Sequence, residues 1–139
     1  MNNWINKCKS SHPECQLANP TWVPSRLLDV GPVDGSQHPR LVETTSSHMR
    51  EPYAALSHMW GDLIPLRALA SNYEDLKSGI PVWKLSKNFA NAVTVTRALG
   101  LRYVWIDSLC IIQDVGADWH KEAATMHLVY SHAEVTIVA

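Results

Sequence analysis

Phenylalanine is almost missing from this chain: one Phe stands against six Trp and four Tyr in 139 residues. Trp is costly to bury without a partner for its N–H, so this choice of aromatic suggests that several indoles line a cleft. Cysteine is also scarce. Three Cys without a secretory leader argue for reduced thiols or a metal rather than a disulfide framework. Met1 to Ser10 is polar and contains no apolar leader. No run approaches the roughly 18 apolar residues of a membrane helix. The expectation is a cytoplasmic protein with no membrane partner. Nor is there a surplus of positive charge. Twelve Lys+Arg against thirteen Asp+Glu leave a formal charge of −1, which disfavours nucleic acid as a partner. What is present is 46% hydrophobic and 18% charged residues, enough to bury the core of one domain. There is no internal repeat or low-complexity stretch.

Residues 1–25, punctuated by Pro13, Pro20 and Pro24, read as an irregular arm. Arg26–Val30 and Arg40–Glu43 are short strand candidates around turn residues, and are expected to pair as a hairpin. Tyr53–His58 is the next strand, followed by a weak helix over Ser71–Lys77. The clearest helix is 87–99. Ser86 is its N-cap, Phe89, Ala92, Val93, Thr96 and Leu99 share one face, and Gly100 is the stop. Strand 101–106 runs into Asp107, a helix spans about Trp119–Tyr130, and Val135–Ala139 is a last apolar strand. Alternating strands and helices from residue 53 predict βαβ units and a mainly parallel sheet with flanking helices. The predicted layout is an arm and hairpin over 1–52 and an α/β core over 53–139, in one domain of a longer protein. In such sheets ligands bind beyond the carboxyl ends of the strands, which directs attention to Ser57–Asp62 and Asp107–Gln113.

Four segments carry candidate chemistry. On a helix of 100° per residue, Trp119, Ala123, Met126, Val129, Tyr130 and Ala133 form one stripe, and Glu122 falls inside it. A carboxylate on a buried face is expensive unless paired, and so marks either function or an ion pair. Asp107 closes a strand and can form an Asx turn or point into a cleft. Cys110, between apolar neighbours, reads as a buried thiol; a thiol hydrolase built on Cys110, His58 and Asp107 is the sharper alternative. Ser57, His58, Trp60 and Gly61 follow a strand, where they suit a ribose, a phosphate or simply a tight turn. Finally, Cys8, His12 and Cys15 could hold zinc, with His38 or His48 as a fourth ligand.

Three blocks together resemble the HET domain, the heterokaryon-incompatibility module of filamentous fungi. Tyr53-Ala-Ala-Leu-Ser-His-Met-Trp-Gly61 is similar to the first, with His58 where Tyr is usual. Tyr103-Val-Trp-Ile-Asp-Ser-Leu-Cys-Ile-Ile-Gln-Asp114 is similar to the second, with Ile112 where Asn or Asp is common. Trp119-x2-Glu122-x3-Met126-x3-Tyr130-x2-Ala133 is similar to the third. The resemblance implies a role in self/non-self recognition and programmed cell death. Its expected partners are further copies of itself and other incompatibility or nucleotide-sensing proteins. It also implies a TIR-like, flavodoxin-like fold. Several TIR domains cleave NAD⁺ with one Glu placed after a Trp in a helix, and Glu122 is the matching position. The implied site is Glu122 as catalytic carboxylate, with Ser57, His58, Trp60, Gly61, Asp107, Cys110, Gln113 and Trp119 at the substrate. NAD⁺ would be the substrate, with no tightly bound cofactor. A non-enzymatic, self-associating signalling module is the alternative.

Overall fold

The computed structural model describes residues 2–13, 22–61 and 65–139. Five strands form one mixed sheet: β1 (Arg26–Asp29), β2 (Arg40–Glu43), β3 (Tyr53–Ser57), β4 (Tyr103–Trp105) and β5 (Val135–Val138), in the order β2-β1-β4-β3-β5. The parallel part is β4-β3-β5, with Tyr53 opposite Tyr103, Ala55 opposite Trp105 and Leu56 opposite Ile137. In chain order this trio reads second, first, third, so the chain crosses back over β3 between β4 and β5. The predicted hairpin forms, with Arg26 opposite Glu43, but it is not a separate preamble. β1 also pairs antiparallel with β4 through Leu28–Val104, so the hairpin extends the core sheet.

This pairing aligns the ends of the elements. Since β1 runs against β4, its first residue lies at the edge where β3, β4 and β5 finish. β2 runs against β1 and finishes there too. The start of β1 and the carboxyl ends of the other four strands therefore share one edge.

Seven α-helices and a 3-10 helix (Val82–Lys84) accompany the sheet among the described residues: α1 (Asn2–Ser11), α2 (Thr44–Ser47), α3 (Tyr73–Ser78), α4 (Lys87–Ala98), α5 (Asp107–Cys110), α6 (Gly116–Ala124) and α7 (Met126–His132). α4 follows its sequence pattern closely. The Ser86 hydroxyl accepts from Phe89 N–H at 3.3 Å, and Phe89, Ala92, Val93 and Thr96 are buried. Gly100 takes φ 75°, the left-handed geometry that ends a helix. On the other side, the Tyr53 hydroxyl donates to Val129 O at 2.6 Å and Trp105 meets Tyr130 edge-on at 5.7 Å. The core is continuous, from Leu27, Leu28 and Leu41 through Tyr53 and Leu56 to Trp105, Ile106 and Leu109. Among the described residues, no helix is long and apolar enough to cross a membrane.

Two expectations need correction. The arm is not wholly irregular, because residues 2–11 form a helix. That stretch contains neither Pro nor Gly, and the helix stops just before Pro13, which cannot continue it. Lys9 pairs with Glu134 at the start of β5, which ties α1 to the sheet. The long helix predicted over 119–130 is two helices broken at Thr125. There the Thr125 amide and hydroxyl both donate to Glu122 O, at 3.1 and 3.0 Å, replacing the α-helical ladder with a tighter turn.

Candidate functional site

At the carboxyl ends of β3 and β4 the chain builds a group around Asp107. Its Oδ1 accepts from the N–H of Ser108 at 2.7 Å, and its Oδ2 accepts from the Trp60 indole at 3.0 Å. The Gln113 amide donates to Asp107 O at 3.0 Å and to Ile111 O at 2.8 Å. His58 Nε2 stands 3.6 Å from Asp107 Oδ1, beyond hydrogen-bond length. The His58 side chain is 3% exposed, and neither ring nitrogen has a hydrogen-bond partner among the described residues. Its ring meets Phe89 of α4 edge-on at 5.0 Å. These residues back a cleft of about 440 Å³ whose walls include Met59, Trp60, Leu66 and the first turn of α4. The Leu66 wall is fixed from below: Ser108 Oγ donates to Leu66 O at 3.2 Å, and Ala68 N–H to Ser108 O at 2.7 Å.

A second cavity, of about 350 Å³, opens at the same edge where β1 begins and β2 ends. Glu122 lies in it. The residue is 4% exposed, and its Oε1 has no hydrogen-bond partner among the described residues. The nearest cation is Lys121, whose ammonium is 4.0 Å away on a largely exposed side chain. Trp22, Ser25, Thr44, His48, Arg50 and Thr125 contribute to the wall. His48 sits at φ 51°, a left-handed conformation uncommon outside glycine, as the cap of α2.

Between the two lies an ion-pair network that holds α6 in place. Arg26, the first residue of β1, donates through both terminal nitrogens to Asp118, at 2.6 and 3.0 Å. It also donates to Cys110 O and to the Tyr73 hydroxyl, both at 3.1 Å, and that hydroxyl donates to Glu43. Asp118 Oδ2 further accepts from Ile112 N–H at 2.9 Å. Burial by itself would raise the Asp118 carboxyl; the Arg26 fork and the Ile112 amide outweigh it and hold the group below its ordinary value of 3.8. Asp118 thus anchors the helix one turn ahead of Glu122.

The residues named from sequence therefore divide. His58, Trp60, Asp107 and Gln113 come together. Glu122 lies in the neighbouring cavity, not in their cleft. Ser57 ends β3, where its carbonyl accepts from Ala139 N–H at 3.0 Å, and Gly61 is exposed at φ 66°. Trp119 is 46% exposed and lines neither opening, so it leaves the buried stripe predicted for it. Cys110 is buried, and burial pushes its thiol up to about 12, which removes the thiolate a hydrolase needs. Of the zinc candidates, Cys8 Sγ on α1 and His12 Nδ1 just after it are 3.6 Å apart, while Cys15 lies outside the described residues. His38 meets Trp83 edge-on and His48 lines the Glu122 cavity. Among the described residues no three His, Cys, Asp or Glu side chains gather to hold a metal. Trp22, Thr44 and Arg50 around Glu122, and Lys84 and Lys87 beside α4, carry no signal in the sequence, and His48 is named from it only as a zinc ligand. Only the Ser86 cap hinted that a helix N-terminus faces the first cleft.

Fold and site define an α/β domain with two polar openings along one edge of a mixed sheet, where its parallel strands end and β1 begins. The profile of the family described as Heterokaryon incompatibility protein (HET) matches residues 53–139. The chain belongs to this family, whose role is heterokaryon incompatibility. No curated protein matched the chain, and no solved structure did.

Proposed function

We propose that this HET domain is a TIR-like, cytoplasmic cell-death effector that cleaves NAD⁺ at the nicotinamide–ribose bond, with Glu122 as catalytic carboxylate. The observation that carries the reading is Glu122 itself: a carboxylate 4% exposed, one oxygen without a hydrogen-bond partner among the described residues, at the wall of a cavity. Burying such a group costs stability, and a scaffold gains nothing from it. The second–first–third order of β4-β3-β5 agrees with the opening of a flavodoxin-like sheet.

The chemistry suits one carboxylate. The C1′–N bond breaks and its electron pair leaves with nicotinamide, which departs neutral and needs no general acid. The ribose becomes oxocarbenium-like, and a fixed negative charge beside it stabilises the transition state. Water then adds at C1′ and gives up a proton, yielding ADP-ribose. Ser25 offers a hydroxyl in the same cavity as Glu122, Arg50 and Lys121 offer positive charge for phosphates, and Trp22 offers a flat face.

The test is nicotinamide release by purified protein, wild type beside Glu122→Gln, under crowding or forced dimerisation. Wild type should turn over, and the Gln variant should lose at least about a hundredfold. A second reading, a module that acts by self-association or by recruiting incompatibility or nucleotide-sensing proteins, draws on Met59 and Trp83, which are 89% and 77% exposed. No release from folded, assembled wild type would favour it.

A further inference from the structure

We propose that the cleft between the carboxyl end of β3 and the N-terminus of α4 binds a phosphate-bearing ligand. Three independent features converge there. α4 is a twelve-residue helix whose first turn forms one wall. The Ser86 hydroxyl takes only the Phe89 N–H, and Ala90 N–H bonds Ser86 O. The N–H groups of Lys87 and Asn88 therefore stay available at the positive end of the helix dipole. Lys84 and Lys87 both line the cleft, and neither makes an ion pair among the described residues. No carboxylate is among the described residues that line it; Asp107, which backs it, has Oδ1 3.6 Å from His58 Nε2.

His58 is the feature that points to a ligand. Its side chain is 97% buried, it lines this cleft, and both ring nitrogens lack a hydrogen-bond partner among the described residues. Nε2 has Asp107 Oδ1 at 3.6 Å, while Nδ1 has neither an ion-pair nor a hydrogen-bond partner among the described residues. A phosphoryl group can accept from an Nδ1–H through P–O⁻ or donate to a bare Nδ1 through P–OH, so either tautomer gains a partner. The indole of Trp60, fixed by Asp107, offers a flat face at the rim. The site does not depend on Glu122, which lines the other cavity.

Inorganic pyrophosphate titrated calorimetrically into wild type, Lys84→Gln/Lys87→Gln, His58→Gln and Glu122→Gln tests the assignment. Both lysines are exposed, so the double variant should fold as wild type, which circular dichroism checks. Saturable binding is expected, weakened at least tenfold in the lysine variant and several-fold in His58→Gln, and unchanged in Glu122→Gln. No saturable binding by folded wild type would overturn the proposal, as would equal affinity in the lysine variant. So would loss in Glu122→Gln, which would move the anion to the other cavity. Displacement of pyrophosphate by ADP-ribose would assign the site to a nucleotide's phosphates; failure to displace it would assign it to free phosphate. Each of these last two results keeps the site.

Discussion

Two buried side chains at one edge of the sheet, Glu122 and His58, keep polar atoms unpartnered among the described residues, and Arg26 does the opposite. Its guanidinium joins β1, α3, α5 and α6 through one fork. Arg26→Met should therefore cost about 3 kcal/mol, because it leaves Asp118 part-buried without its cation. Urea unfolding at neutral pH measures this. The same pair predicts an acid response. Asp118 and Asp29 are both held below 3.8 despite burial, Asp29 by Arg102, the Gly31 amide and Arg40. A depressed carboxyl contributes stability that is present above its unfolded value and lost as pH falls through the folded value. Unfolding free energy should hold from pH 7 to about 5 and decline below about 4, less steeply in Arg26→Met. Cys110 gives the converse test. Its buried thiol should resist iodoacetamide in the native protein and react after unfolding; alkylation at the native rate of a free thiol would show that the α5 segment opens.

At the scale of elements, caps and turns decide where helices and strands end. Ser86→Ala should destabilise by about 1 kcal/mol, measured by thermal or urea melts, because it removes the acceptor for Phe89 N–H. Gly31, between β1 and β2, has φ 75°, and a Cβ there would stand 3.1 Å from Gln37 O. Gly31→Ala should cost about 1–2 kcal/mol, more than a surface Gly→Ala in an ordinary turn. Arg97 reinforces that turn by donating to Val30 O, at 2.6 Å and 2.9 Å. Elements with strong local signals were legible in the sequence. The Phe89–Thr96 periodicity and its Ser and Gly boundaries gave α4 nearly to the residue. α1 was not legible, because its sequence is polar and its anchor, Glu134, is over a hundred residues away. The break at Thr125 was hidden inside an unbroken apolar stripe, since one hydroxyl's choice of acceptor leaves no trace in periodicity.

Across the whole molecule, strand pairing assembles the openings. The antiparallel β1–β4 contact brings residues 22–25 and those between β2 and β3 to the carboxyl edge, so Trp22, Thr44 and Arg50 surround a carboxylate from α6. The amino-acid sequence by itself determined the α/β alternation, the family, and the residue types at the strand ends. Those follow from short-range periodicity and from contiguous blocks. Only the tertiary structure decided that Glu122 and His58 occupy separate openings, that Trp119 turns to solvent, and that α4 points its N-terminus at His58. Each of these depends on which strands pair and where a helix breaks, and such long-range packing choices are not encoded in the spacing of neighbouring residues.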